Sequence, residues 1–155
     1  MKRTPFKQKP RKPMKRGKLR LVGKSPVSET KREIQAILRK IVIKRDKGCV
    51  LRHRRHCGGT PDTEGVVLQA DHLISRGNNA TFADPRLVVC LCRPCHGGFK
   101  KWNEKEYDDL VKTVIPKETV ALWDRCLKEK YRVSKMDWTM ELLVLQKYYE
   151  QIPLS

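Results

Sequence analysis

The chain has 155 residues, with 35 Lys and Arg against 17 Asp and Glu and a formal net charge of +18. That length fits one domain with a modest core rather than two, and an isoelectric point near 10 argues against an acidic small-molecule substrate and for a polyanionic partner. Apolar runs are short and broken by charge, and no apolar segment of signal-peptide length follows the basic start. The expectation is a soluble, cytoplasmic protein with no membrane span.

Residues 1–24 hold eleven Lys and Arg, three prolines and no acid, while the other 131 residues carry 24 basic against 17 acidic side chains. Such a segment has too little apolar surface to collapse and repels itself, so it reads as a disordered basic arm. As a flexible coil it would span about 25–30 Å, enough to follow a DNA backbone beyond a folded footprint. A solubilising tail or an import-type basic cluster is the plainer alternative.

Residues 25–48 read as a helix. Ser25 and Pro26 make a start signal, Ile34, Ile37, Leu38, Ile41 and Val42 share one face, and Gly48 marks the end. From residue 49 to 103 the texture changes to short strands, glycine turns and metal-type side chains. Val66–Ala70 reads as a strand running into Asp71-His72, Arg76–Asn79 as a turn, and Leu87–Leu91 as a second strand. Residues 104–155 read as helical. Their stripes are Tyr107, Leu110, Val111 and Val114; then Val120, Trp123 and Leu127; then Trp138, Leu142, Leu145 and Tyr149.

Six cysteines in a chain expected to be intracellular favour metal over disulfides. Cys92 and Cys95 have the C-x-x-C spacing that lets two thiolates reach one ion, and Cys49 and Cys57 form a wider pair upstream. Together they suit a closed tetrahedral structural Zn²⁺ site, in which the ion replaces missing core. His53, His56 and Cys90 are nearby substitutes as ligand, although Cys90 and Cys126 suit packed thiols better.

Asp71-His72 at a strand end and His96 directly after C-x-x-C form a second constellation. Adjacent strand residues face opposite sides. Asp71 and His96 can therefore share a divalent ion, Mg²⁺ or Mn²⁺, while His72 takes a proton from water. Hydrolysis of a phosphodiester needs those two parts, a base for the water and a cation for the developing charge. Arg76, Arg86, Lys100 and Lys101 stand near these residues in sequence as candidate nucleic-acid contacts.

Residues 66–101, VVLQADHLISRGNNATFADPRLVVCLCRPCHGGFKK, resemble the core of HNH (ββα-metal) endonucleases, with DH, then C-x-x-C-H, then Lys. Within that superfamily the layout from residue 40 to 150 is similar to the NinG/Rap recombination proteins of lambdoid phages. The resemblance implies an α+β fold, a zinc-stapled ββα core flanked by α-helices. It implies His72 as general base, Asp71 and His96 as ligands of the catalytic ion, and Cys49, Cys57, Cys92 and Cys95 on structural zinc. It further implies a phage-encoded enzyme that cuts recombination intermediates or branched DNA, leaving 5′-phosphate and 3′-hydroxyl ends.

One position departs from the family pattern. The middle Asn, which ties the loop together and helps orient the base, is replaced by Arg86 and Leu87. Either the Arg86 guanidinium takes over by bonding loop carbonyls, or Asn78 or Asn79 reaches in from the turn. That gap supports a rival reading, a non-catalytic zinc-ribbon DNA-binding module, against which Asp71-His72 is the counter-argument. An RNA-directed protein is a weaker third reading, because no RNP-type aromatic strand is present. A nicking monomer and a dimer that cuts both strands fit the sequence equally.

Overall fold

The computed structural model describes residues 25–54, 57, 65–129 and 135–153; the basic arm and His56 lie outside them. Helix α1 runs Pro26–Asp46. The Ser25 hydroxyl accepts from the Ser28 amide at 3.3 Å and Pro26 occupies the first turn, a cap worth about 1 kcal/mol. Ile34, Leu38, Ile41 and Val42 are fully buried, each contributing about 1.5–3 kcal/mol. The helix closes one residue before the glycine expected to end it: Lys47 takes the left-handed cap with φ +51° and its amide reaches the Ile43 carbonyl at 3.1 Å. Gly48 follows at φ +130°, a conformation that suits glycine and few other residues.

Strands β1 (Leu68–His72) and β2 (Val88–Cys92) form an antiparallel pair with Ala70 opposite Cys90, Asp71 opposite Val89 and His72 opposite Val88. Both start one or two residues later than the sequence pattern suggests. At β2 the reason is local: Asp84 accepts from the Arg86 amide at 2.9 Å and opens a 3₁₀ turn, Pro85–Leu87, that absorbs Leu87. Between the strands, Asn78 caps the short helix α2, Asn79–Phe82, by accepting from the Ala80 amide at 3.1 Å. The expected turn at 76–79 therefore ends at Asn78.

The free edge of β2 is covered by the end of α1 and the segment after it. The Cys90 amide donates to Asp46 Oδ2 at 2.8 Å and the Cys90 carbonyl accepts from the Val50 amide at 2.9 Å. Arg45 donates to the Pro85 and Val88 carbonyls, both at 2.7 Å, while its Nε holds Asp46 at 2.6 Å. This clamp satisfies backbone groups that would otherwise be orphaned at a sheet edge.

After β2 the chain enters a π-helical turn, Pro94–Phe99, then α3 (Lys100–Trp102), α4 (Glu104–Val114), α5 (Lys117–Glu129) and α6 (Trp138–Gln151). The helical segment thus begins at Pro94, ten residues before the 104–155 region that the sequence reads as helical. Tyr107, Val111, Trp123 and Leu145 are buried as their stripes require, but Val114 and Leu127 are half exposed. On α5 Cys126 is buried in place of Leu127. Helix α6 packs on α1, with the Lys31 ammonium 4.2 Å from the Trp138 ring centre. The architecture is α+β, and one hydrophobic core runs through the described residues from α1 to α6.

Candidate metal centre and candidate active site

The segment that brings Cys49 and Cys57 together coils through consecutive tight turns. The Arg52 amide reaches the Cys49 carbonyl, Arg54 reaches Leu51, and Cys57 reaches Arg54, each at 3.0 Å. The Val50–Cys90 bond anchors this coil beside β2, whose end supplies Cys92, and the π turn then returns Cys95. The sulfurs of Cys49, Cys57, Cys92 and Cys95 all lie within 4.8 Å of one another, and those of Cys57 and Cys92 are 3.7 Å apart. A tetrahedral zinc–thiolate site with bonds of about 2.3 Å has sulfur–sulfur edges of about 3.8 Å, so the four residues fit that ion.

The thiol of Cys49 is pushed well above the ordinary range by its hydrogen bond to Cys95 and by burial. Packed thiols without a cation resist ionisation, and a divalent ion reverses that preference. Among the described residues the six cysteines form no disulfide. Cys90 lies outside the cluster, buried, its thiol pushed up to about 12 by burial and by Asp46. It is a packed thiol.

Arg54 is a residue the sequence did not single out. Its guanidinium lies 3.7 Å from the Phe99 ring centre and 3.9 Å from Cys95 Sγ. Four thiolates on one divalent ion would leave two excess negative charges, which Arg54 is placed to offset in part.

The second constellation is split by the pleat of β1. Asp71 is 4% exposed and faces the helical side. Its Oδ1 lies 3.2 Å from His96 Nε2 and accepts from Lys100 Nζ at 2.8 Å. Its Oδ2 accepts from Lys100 at 2.7 Å and from the Tyr107 hydroxyl at 2.5 Å. Burial alone would raise this carboxyl, but His96, Lys100 and Tyr107 outweigh it and hold the group below its ordinary value. Tyr107 is driven the other way, upward, by burial and by Asp71, and stays a neutral donor.

His72 faces the opposite side. Its Nε2 is 3.1 Å from the Phe82 carbonyl, and its ring stacks on Phe82 at 5.6 Å between centres. A carbonyl only accepts, so Nε2 carries the proton and Nδ1 holds the lone pair. Nδ1 is buried and has no hydrogen-bond partner among the described residues. Burial lowers the pKa of His72, and the Arg76 charge adds to that effect against the Phe82 carbonyl and Asp71. The ring is thus neutral and its basic nitrogen unengaged.

The basic residues divide. Arg76 and Lys101 are exposed. Lys100 is committed to Asp71 and to the His72 carbonyl, at 3.2 Å. Arg86 is turned to Asp84, with Nη2 2.7 Å from Oδ2, and Asn79 accepts from Lys31 at 3.2 Å. The Pro85 carbonyl before β2 and the Val88 carbonyl at its start are held by a different guanidinium, that of Arg45. The sequence shows Tyr107 only as part of a helical stripe and does not single out Arg45, because their partners are remote in sequence. No protein-family model, curated protein or solved structure matches this chain.

Proposed function

We propose that this protein is a metal-dependent DNA endonuclease of HNH type, stapled by structural zinc on Cys49, Cys57, Cys92 and Cys95. The observation that carries the reading is the division of labour across one strand end. Asp71 and His96 converge on one side, and on the other His72 holds an unpartnered lone pair whose tautomer is set by the Phe82 carbonyl.

Asp71 offers a hard oxygen and His96 an imidazole nitrogen, a donor pair that suits Mg²⁺ or Mn²⁺. An ion held there would polarise the scissile phosphate and stabilise the leaving oxygen. His72 Nδ1 takes the proton of the attacking water, and the Phe82 carbonyl steadies the resulting imidazolium through Nε2–H. The hydroxide forms the new P–O bond as the 3′ oxygen departs and takes a proton from solvent, which leaves 5′-phosphate and 3′-hydroxyl ends. Arg76 and Lys101 are exposed to bind flanking phosphates, and the 1–24 arm extends the electrostatic footprint. Work on branched recombination intermediates in a phage-infected cytoplasm is the substrate class that the resemblance suggests.

A second reading, a zinc-stapled DNA-binding module without catalysis, draws on the burial of Nδ1 and on the neutralisation of Asp71 by Lys100. One experiment separates the two: cleavage of supercoiled plasmid and of a four-way junction by the wild type and His72→Ala, with Mg²⁺, Mn²⁺ or EDTA. Metal-dependent nicking that is lost in the folded variant supports the endonuclease. Tight binding without cleavage under any ion supports the module.

A further inference from the structure

Asp71 has four lone-pair positions, two on each oxygen, and all four are engaged. Oδ1 meets Lys100 and His96, and Oδ2 meets Lys100 and Tyr107. A carboxylate so saturated and 4% exposed has no vacant site for a further cation. The Lys100 ammonium lies 2.8 Å from Oδ1 and 2.7 Å from Oδ2, in the space a divalent ion bound to Asp71 would take.

We propose that Lys100 is the resident counter-cation of the Asp71–His96 pair, and that a divalent ion binds there only by displacing its ammonium. The inference rests on the reading of Asp71 and His96 as ion ligands. The Lys100 ammonium spans both Asp71 oxygens, and it would repel a divalent ion a few ångströms away strongly in a site shielded from water.

The lysine is built to leave. Its side chain is 29% exposed, its four-carbon stem is flexible, and it stands at the start of α3 just after the π turn. His96 must also change role, since the Nε2 that now faces Asp71 would face the ion instead. Tyr107 keeps its bond to Oδ2 and anchors the carboxylate throughout.

The exchange has two consequences. Without a divalent ion the buried carboxylate is already compensated by Lys100, so the fold does not need the catalytic ion. With the ion, the released ammonium becomes available to a phosphate beside it, the task that the sequence suggests for Lys100.

The test is direct Mn²⁺ binding to the full-length, zinc-loaded protein, read from the loss of the free Mn²⁺ electron paramagnetic resonance signal. Thiolates favour zinc over Mn²⁺, so the signal reports the oxygen–imidazole site, and Asp71→Asn measured alongside gives the background. Lys100→Met should tighten Asp71-dependent Mn²⁺ binding by about tenfold or more. Lys100→Arg, which keeps the charge and grips a carboxylate through two donors, should weaken it, and this second variant decides the matter if Lys100→Met does not fold. Unchanged or weaker binding in folded Lys100→Met, or unchanged binding in Lys100→Arg, overturns the exchange. If Mn²⁺ binds as expected but no variant nicks plasmid, the exchange stands and the endonuclease reading falls. If plasmid is nicked through His72 while the wild type, Lys100→Met and Lys100→Arg bind Mn²⁺ equally, the reverse holds. Absence of Asp71-dependent binding in every variant overturns the exchange together with the ligand assignment beneath it.

Discussion

The Tyr107 hydroxyl donates to Asp71 Oδ2 at 2.5 Å across 36 positions of sequence. Both groups are buried, so the bond is charge-assisted and shielded from water. It ties the first turns of α4 to the end of β1 and fixes the carboxylate that His96 and Lys100 also address. Tyr107→Phe should lower stability by about 1.5–3 kcal/mol, the range for a hydrogen bond to a charged group. Urea unfolding at neutral pH measures it, and a loss well below that range would mean that Lys100 and His96 alone satisfy Asp71.

The Arg45–Asp46 clamp makes a similar claim at the other edge of the hairpin. Asp46→Ala removes the acceptor of the Cys90 amide and the partner of Arg45, leaving a buried donor unpaired. A cost of about 1–3 kcal/mol follows. Hydrogen exchange at the Cys90 amide should accelerate more than at β1 amides; equal acceleration would show that the clamp is not local.

Zinc should be present at one ion per chain and should depend on the four clustered thiols, with Cys90 dispensable. Cys92→Ser or Cys95→Ser should release zinc and lower the melting temperature, because a structural ion supplies folding free energy. Cys90→Ser should keep zinc even if packing suffers. Metal content by mass spectrometry decides between these outcomes, and full zinc in Cys92→Ser would remove the structural site.

Residues 1–24 contribute eleven of the 35 basic side chains. Deleting residues 2–24 should weaken duplex binding and flatten its dependence on salt, by about 0.9 in logarithmic slope for each phosphate that the arm neutralises. Titrations across a salt series give the slope directly. An unaltered slope would mean that the arm touches no phosphate.

Local order fixes much of this molecule. The Ser25-Pro26 start, the Ile34–Val42 stripe, the C-x-x-C spacing and the alternation of Asp71 and His72 are short-range features. A helix face, a pair of thiolates or a pleat is determined by residues a few positions apart, so these were readable in the sequence, as was the pairing of Cys49 and Cys57 with Cys92 and Cys95. Boundaries moved where a cap or turn competed, at Lys47 and at Asp84. Only the tertiary structure decided which guanidinium holds the loop before β2, where Arg45 reaches Val88 across 43 positions and Arg86 stays with Asp84. It also decided what Asp71 faces, because Lys100 and Tyr107 arrive from elements 29 and 36 positions away. Periodicity assigns such residues to a face, but the packing of that face chooses their partners. A buried carboxylate then takes whichever donors that packing delivers, since leaving it unpaired costs more than any local preference supplies.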